Sequence, residues 1–498
     1  MGSGEVKGKS QKGSAQKNLN AGFVVASLLM LLIYLVAQHF AVSAPHVVIT
    51  EAQEIMDNIK APGETVVITE AQEIMDNIKA PSERVVIKEA QEIMDSTKAP
   101  SETAENGKVE CKMEGRSDTC EVDGDVRTNG TALSVTLVPA TATSSSERRD
   151  REWMIRPYSR RFASLKKVTV TELHDPSAAP PCTVTHTTPA VLFAVGGYAG
   201  NYWHDYADIL VPLFVASRRF RGEVTFLVSN IQFQPRWLVK YKDFLRGLSK
   251  YDYVDMDADG QQVIRCFRHV TVGLRLDKEF SIVPELVPGD RRLAMPDFTA
   301  FLRETYALPR GSTTTTTEPG EKKKKPRLMV IHRGHYRRIL NEEEVARAAE
   351  AAGFEAVVTE LRGETAAEAE QARVVNSFDA VVGLHGAGLT NAVFLPAGGV
   401  VIQVVPYGKM EHIARAEFGE PVADMGLRYL EYSVAAEESS LMETLGPEHP
   451  AVKDPDSVHR SGWSQVFELY LAKQNVRINV TRFAPTLEEA INHLRRQE

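Results

Sequence analysis

AVVGLHGAGLTNAVFLPAGGVVIQVVP, residues 380–406, is the stretch from which the fold is read. Residues 380–384 are an unbroken apolar run, the pattern of a strand buried on both faces of a parallel sheet. His385, Gly386, Ala387 and Gly388 follow at once, and glycines there let the backbone turn tightly and approach a ligand. Residues 389–395 can then open a helix, whose free N–H groups and positive end favour a phosphate or diphosphate. Thr390 and Asn391 add short polar groups beside that end, and 398–406 supply the next buried strand. A Gly-x-Gly pair alone is equally compatible with a tight turn that holds nothing. Its place between a strand and a helix favours the ligand.

The flanks repeat the alternation. Residues 327–332 read as a strand, Asn341 is placed to cap a helix over 342–352, 354–359 read as a strand and 365–377 as a helix. Strands alternating with helices of about a dozen residues predict right-handed βαβ units in a doubly wound sheet. Ligands of such sheets sit beyond the carboxyl ends of the strands, where His332-Arg333 and His385-Gly386 emerge. Arg333, Arg337 and Arg338 are therefore expected beside the Gly turn as the groups that hold a diphosphate. A solvated basic face is the alternative.

The chain has 498 residues, 43% hydrophobic and 25% charged, enough for roughly two to four domains with ordinary cores. Its net charge of −8 argues against a nucleic-acid partner. Residues 22–37 are uncharged and mostly apolar, and the run extends to Val42, about the length of a membrane span. Lys7, Lys9, Lys12 and Lys17 precede it and keep the N-terminus cytoplasmic. A cleavable signal peptide is the alternative, because Val42-Ser43-Ala44 looks like a cleavage site, but Pro45 directly after the cut is unfavourable. The expectation is a tail at 1–20, an uncleaved signal anchor at 21–42 and a luminal remainder. Asn129-Gly130-Thr131 and Asn479-Val480-Thr481 are glycosylation sequons. Cys111, Cys120, Cys182 and Cys266 lack the spacing of a zinc site. In an oxidising lumen Cys111 and Cys120 could close a small loop, although three pairings are open.

After the anchor, VVITEAQEIMDNIKAP stands at 47–62 and again at 66–81, and VVIKEAQEIMDSTKAP at 85–100, a period of 19 residues. Each unit puts Ala52, Ile55, Met56 and Ile59, or their equivalents, on one helical face. Helices of about ten residues closed by Ala-Pro are marginal alone, and little is at hand for them to pack against. Residues 43–107 are therefore expected to be a stem, with self-association as its one partner role, rather than a solenoid. In 108–308, residues 108–139 read as a hairpin region turning at Asn129-Gly130 and 190–195 as a buried strand ending at Gly196-Gly197. An amphipathic helix is expected over 201–214, strands at 223–229 and 251–255, and a helix at 237–248. Residues 309–326, PRGSTTTTTEPGEKKKKP, form a low-complexity linker to the second lobe, 327–498.

Several long segments resemble plant glycosyltransferase family 61: IHRGHYRRIL at 331–340, VVGLHGAGLTNAVFLPAGGVVIQVVPYG at 381–408 and QNVRINVTRFAP at 474–485. VGGYAGNYWHDYADILVPLF at 195–214 and CKMEGRSDTCEVDGDVR at 111–127 extend the likeness, so it runs from about Cys111 to the C-terminus. The family includes the grass xylan arabinosyl- and xylosyltransferases and the N-glycan core xylosyltransferase. The resemblance implies an α/β, GT-B-like fold of two Rossmann-like lobes facing a cleft, behind a transmembrane helix and a repeat-containing stem. It implies a Golgi type II membrane enzyme that moves a pentose with inversion from UDP-xylose or UDP-arabinofuranose onto xylan. The linkage would be β-1,2 for xylose or α-1,3 for arabinose. The rival GT-A fold would hold a metal with an Asp-x-Asp pair, for which Asp123/Asp125 and Asp255/Asp257 qualify by spacing. No metal or other cofactor is expected.

Glycosyl transfer needs a base for the acceptor hydroxyl and positive charge for the departing diphosphate. The second lobe offers the charge. The base is expected from the first lobe, where His204, Asp205 and Asp208 cluster. His204 and Asp208 are four apart and share a helix face, so His204 or Asp205 would be the base and Asp208 its orienting partner. A helix cap with a buried His–Asp hydrogen bond is the structural alternative. Within the family the alternative function is that of an N-glycan core β-1,2-xylosyltransferase, and the alternative of another class is an inactive relative acting as a partner in a polysaccharide-synthesising complex. An intact HGAGLTN and the arginines speak against it.

Overall fold

A computed structural model of the chain describes residues 107–140, 149–289, 292–313, 324–361 and 368–497. Residues 97–460 with 466–498 form one compact unit, and 1–96 with 461–465 form another that falls almost wholly outside the described residues. The expected anchor at 21–42 and the three repeats lie outside them too. Among the described residues no helix is long and apolar enough to cross a membrane.

The chain has a mixed α/β fold with two sheets. The first has ten strands: β1 (Lys108–Lys112), β2 (Thr119–Asn129), β3 (Ser134–Val138), β4 (Arg151–Ile155), β5 (Val168–Glu172), β6 (Val184–Thr185), β7 (Ala190–Ala194), β8 (Thr225–Ser229), β9 (Val254–Asp255) and β10 (Ile264–Val272). They run in the order β4-β5-β3-β2-β10-β7-β8-β9, with β1 on β2 and β6 on β10. β7, β8, β9, β6 and β10 form one parallel stretch, and β3 and β5 a separate parallel pair. β10 meets β2 antiparallel, and β2 meets β3 antiparallel. This lobe is therefore a parallel half extended by a mixed half, not a plain doubly wound sheet. Cys111 pairs in register with Cys120 and is bonded to it, while Cys182 is bonded to Cys266 of β10.

The second sheet is entirely parallel: β11 (Arg327–His332), β12 (Glu355–Glu360), β13 (Ala380–Leu384), β14 (Val400–Val405) and β15 (Arg428–Ser433), in the order β12-β11-β13-β14-β15. The order reverses between β11 and β13, and that switch point is where such sheets bind ligands. Both faces are covered, which the alternation of β11 records. Leu328 and Val330 join a core with Val345, Ala349, Leu487 and Ile491, while Met329 and Ile331 join another with Phe394 and Val401. Helix Glu342–Ala352 follows β11 and ends at Gly353. Asn341 does not cap it. Its amide instead clasps the main chain of Ile478 from both sides, at 2.9 Å each way.

The helical run 202–217 organises the junction. It comprises Tyr202–His204, a π-helical segment Asp205–Leu210 and Val211–Ser217. It is not amphipathic: every residue of the π segment is buried, as expected of a helix enclosed on all sides. Tyr206, Leu210 and Phe214 belong to one apolar cluster that includes Phe193 of β7 and reaches Met329, Phe394, Val401 and Phe418 of the second lobe. Each large side chain so buried contributes about 1.5–3 kcal/mol. The two lobes therefore share a core along this run instead of facing each other across an open cleft there. The expected helix at 237–248 is interrupted at Tyr241, and Arg310 and Thr313 of the expected linker are bonded to Asp379 and Ala397 of the second lobe.

Candidate active site

Asn201 starts the helical run by accepting from the Trp203 amide at 3.1 Å. The π segment that follows adds a residue to the turn, a distortion common at functional sites. His204 and Asp208 are brought together, with Nδ1 of His204 2.9 Å from Oδ2 of Asp208. Asp208 is fully buried; Tyr158 Oη donates to the same oxygen at 2.8 Å and Arg160 Nη2 lies 2.9 Å from Oδ1. Burial would raise the Asp208 carboxyl, but Arg160 and His204 outweigh it and hold it well below the ordinary range. Tyr158 reaches Asp208 past Gly197, which has a φ of 58° and where a Cβ would lie 2.9 Å from the tyrosine ring. His204 stacks on Tyr198 at 4.4 Å and is one-fifth exposed. Among the described residues nothing bonds its Nε2. A carboxylate on Nδ1 and a free, partly exposed Nε2 make an oriented base.

Asp205 is not available for that role. Its Oδ1 accepts from the Gly200 amide and Trp237 Nε1 and its Oδ2 from Tyr241 Oη, each at 2.8 Å, and it is 1% exposed. It joins this helical run to the Trp237–Leu248 region, a structural duty.

In the second lobe, Gly386 has a φ of 139°, and a Cβ there would lie 2.8 Å from Arg333 Nη1 and 3.2 Å from Arg337 Cζ. Two guanidiniums thus lie against the turn. Arg333 Nε donates to the Tyr336 carbonyl at 3.2 Å, and Arg337 Nε is buried with no partner. No carboxylate lies within ion-pair distance of either among the described residues. Burial, then the Arg333 charge, lowers Arg337 to about 10, and burial lowers Arg333. Tyr336 and Arg337 adopt left-handed φ values of 37° and 48°, a strained backbone that turns Arg337 toward Gly386. Arg338 does not join them. It is exposed, and its main chain is held by Asn475 and Val476.

The turn itself departs from expectation. The helix after Gly386 is a 3-10 helix, Ala387–Phe394, and only Ala387 and Gly388 at its start are partly exposed, where N–H groups have no intrahelical acceptor. His385 is 2% exposed. Burial, then Arg337 and Arg333, lowers it to about 3, so it is neutral and not a cation for phosphate. Its Nδ1 bonds Gln403 Nε2 at 2.7 Å. Thr390 is buried, and Asn391 is occupied at the junction by Gln371, Tyr202 and the Gly388 carbonyl.

The junction carries further groups around these. Tyr202 and Tyr206 both donate to Oε1 of buried Glu368, at 2.6 and 2.7 Å. Arg160 grips Glu279 as well as Asp208. Trp203 Nε1 donates to the main-chain oxygen of Glu417 at 3.3 Å. Glu417 lies in a second π segment, Arg415–Gly419. Its Oε2 is 3.5 Å from His385 Nε2, and burial together with Glu279 pushes its carboxyl up to about 7 against the pull of Arg337 and Arg160. These residues come from five separate segments, and Arg160, Glu279, Glu368 and Glu417 each read in sequence as an ordinary surface charge.

Both Asp-x-Asp pairs are engaged locally. Asp123 bonds His269 and Asp125 bonds Arg127; Asp255 accepts from the amides of Asp257 and Ala258, and Asp257 from that of Ile231. Of the sequon asparagines, Asn129 donates its amide to the Gln261 carbonyl at 3.2 Å. Asn479 is exposed, and its Oδ1 caps helix Val480–Arg495 through the amides of Thr481 and Arg482.

The family described as Glycosyltransferase 61 matches residues 202–402, a span that takes in His204, Arg333, Arg337 and the Gly turn. A protein of Oryza sativa subsp. japonica named as a beta-1,2-xylosyltransferase is 43% identical over 397 residues, 77% of this chain and 83% of that protein. An alpha-1,3-arabinosyltransferase of the same organism is 40% identical over 381 residues, 76% of this chain and 64% of that protein, just under two thirds. A xylan glycosyltransferase of Arabidopsis thaliana is 31% identical over 399 residues, 77% of this chain and 79% of that protein.

Proposed function

Because the chain belongs to glycosyltransferase family 61, we propose that it is a xylan pentosyltransferase, transferring xylose or arabinofuranose from a UDP-sugar with inversion. The observation that carries the donor side is the pair of half-buried guanidiniums, Arg333 and Arg337, laid against Gly386 with no carboxylate within ion-pair distance among the described residues. A diphosphate on them, and on the amides of Ala387 and Gly388, would have its developing negative charge stabilised as it leaves. His204 Nε2 would take the proton of the acceptor hydroxyl as that oxygen attacks the anomeric carbon from the face opposite the diphosphate. Asp208 would hold the proton on Nδ1 and stabilise the imidazolium that forms. The relatives named for β-1,2-xylosyl and α-1,3-arabinosyl transfer favour a xylan acceptor.

The two lobes, with the nucleotide site at the switch point of the parallel sheet, are read as a GT-B arrangement whose lobes are joined by a shared core. The local engagement of both Asp-x-Asp pairs favours metal-independent transfer, so EDTA is expected to leave activity unchanged. Residues 21–42 would anchor the protein in the Golgi membrane with the catalytic part in the lumen. Two disulfides suit that oxidising compartment, Asn479 is the more accessible glycosylation acceptor, and the repeats are read as a stem open to self-association. The test is incubation with UDP-xylose, UDP-arabinofuranose and UDP-GlcNAc against xylo-oligosaccharides, followed by identification of the linkage. Transfer of neither pentose would overturn the reading.

A further inference from the structure

We infer that the Glu417 carboxylate binds hydroxyl groups of the donor's pentose and so helps decide which UDP-sugar is accepted. This rests on the reading of Arg333, Arg337 and the Gly turn as the diphosphate site. In a nucleotide sugar the pentose lies directly beyond the outer phosphate. A group that touches it must border the diphosphate site, lie near the acceptor base and offer hydrogen-bond acceptors rather than more positive charge. Glu417 meets all three conditions. Its Oε2 is 3.5 Å from the ring of His385, the residue before Gly386. Its main-chain oxygen is held by Trp203, the neighbour of His204. Arg337 is near enough to act on its charge.

The other carboxylates of the junction are already answered. Glu279 receives Arg160, Glu368 receives two tyrosines, Asp208 receives His204 and Tyr158, and Asp205 has its three donors. The Glu417 oxygens have no hydrogen bond of ordinary length among the described residues, although the side chain is only 32% exposed. A carboxylate in that state repels phosphate and accepts readily from vicinal hydroxyls. It is also aimed. Tyr429 Oη donates to Gln403 Oε1 at 2.8 Å, and Gln403 Nε2 donates to His385 Nδ1 at 2.7 Å. That leaves the proton of neutral His385 on Nε2, the nitrogen 3.5 Å from Glu417 Oε2. The chain has one polarity and ends at the carboxyl without filling it.

The test is calorimetric titration of the full-length protein at pH 8, where the Glu417 carboxyl is ionised, with UDP, UDP-xylose and UDP-arabinofuranose, for the wild type, Glu417→Ala and Glu417→Gln. For the pentose that the wild type transfers, Glu417→Ala is expected to weaken UDP-sugar binding about 10- to 100-fold. UDP binding should stay within about two-fold or tighten, since a negative charge beside Arg337 is removed. Glu417→Gln keeps one acceptor and should fall between. Thermal melts verify that both variants fold. Equal losses for UDP and UDP-sugar, or no loss for either, would overturn the inference. If the wild type itself failed to bind UDP, the diphosphate reading would fall first.

Discussion

The two sides of the site answer their charges differently. On the first lobe, Asp208 is met by His204, Tyr158 and Arg160, and Arg160 in turn by Glu279, so every charge has a partner before any substrate arrives. On the second lobe, Arg333 and Arg337 are crowded against Gly386 and against each other, with their ordinary affinity for protons lowered. The contrast follows from what each side has to do. A base must already point at its target, and a closed hydrogen-bond network holds it there. A clamp for a leaving group works better when its counter-charge is missing, because the substrate then supplies it. Changes on the first side should therefore act on turnover and changes on the second on affinity.

The largest expected effect tests that division directly. His204→Ala should lower turnover about 10²- to 10⁴-fold with UDP affinity unchanged in calorimetry. Near-normal turnover would remove His204 as the base. Next, Arg337→Ala should weaken UDP binding about 10- to 100-fold, while Arg338→Ala, one residue on and facing solvent, should change it less than about two-fold. Equal losses from the two would mean that Arg338 also reaches the ligand.

Asp205→Asn should divide structure from chemistry within the first side. The new amide must turn an N–H₂ toward donors that now meet an oxygen, at a cost of about 1–3 kcal/mol. The melting temperature should fall while the folded fraction keeps its turnover; loss of turnover without loss of stability would return Asp205 to the reaction. The smallest effect concerns Glu417, faced by Glu279 and Arg160 from the first lobe and by Arg337 and His385 from the second. Its carboxyl is raised from the ordinary 4.5 to about 7, so the folded state holds the proton more tightly than the unfolded chain. The stability so contributed is complete below pH 4.5 and is lost as pH rises through 7. Glu417→Gln should therefore melt about 2 °C higher than the wild type at pH 8 and no higher at pH 5. A pH-independent difference would contradict the shift.

The second lobe was legible because both faces of its sheet are buried. Strands at 327–332 and 380–384 and the helix at 342–352 occur over the residues expected, since unbroken apolar runs and a 3.6-residue period are properties of the local chain. The same local pattern misled at 201–214. His204, Asp205 and Asp208 gave that helix an apparent polar face, yet the two aspartates are buried inside hydrogen bonds. Strand order and direction in the first sheet were out of reach, because an alternating strand does not name its neighbour.

Within the site, the sequence by itself placed the Gly turn after a strand and put His204 four residues from Asp208. It could not separate Asp205 from Asp208, or Arg337 from Arg338. Those differences belong to partners that folding brings from elsewhere: Trp237 and Tyr241 close around Asp205, Tyr158 and Arg160 around Asp208, and Gly386 against Arg337. Glu417 has no motif at all. Its place between His385 and Trp203 exists only because a shared core presses the two lobes together. Local periodicity is written in neighbouring residues, whereas the duty of a charged side chain is set by which distant groups arrive beside it and how much water they displace.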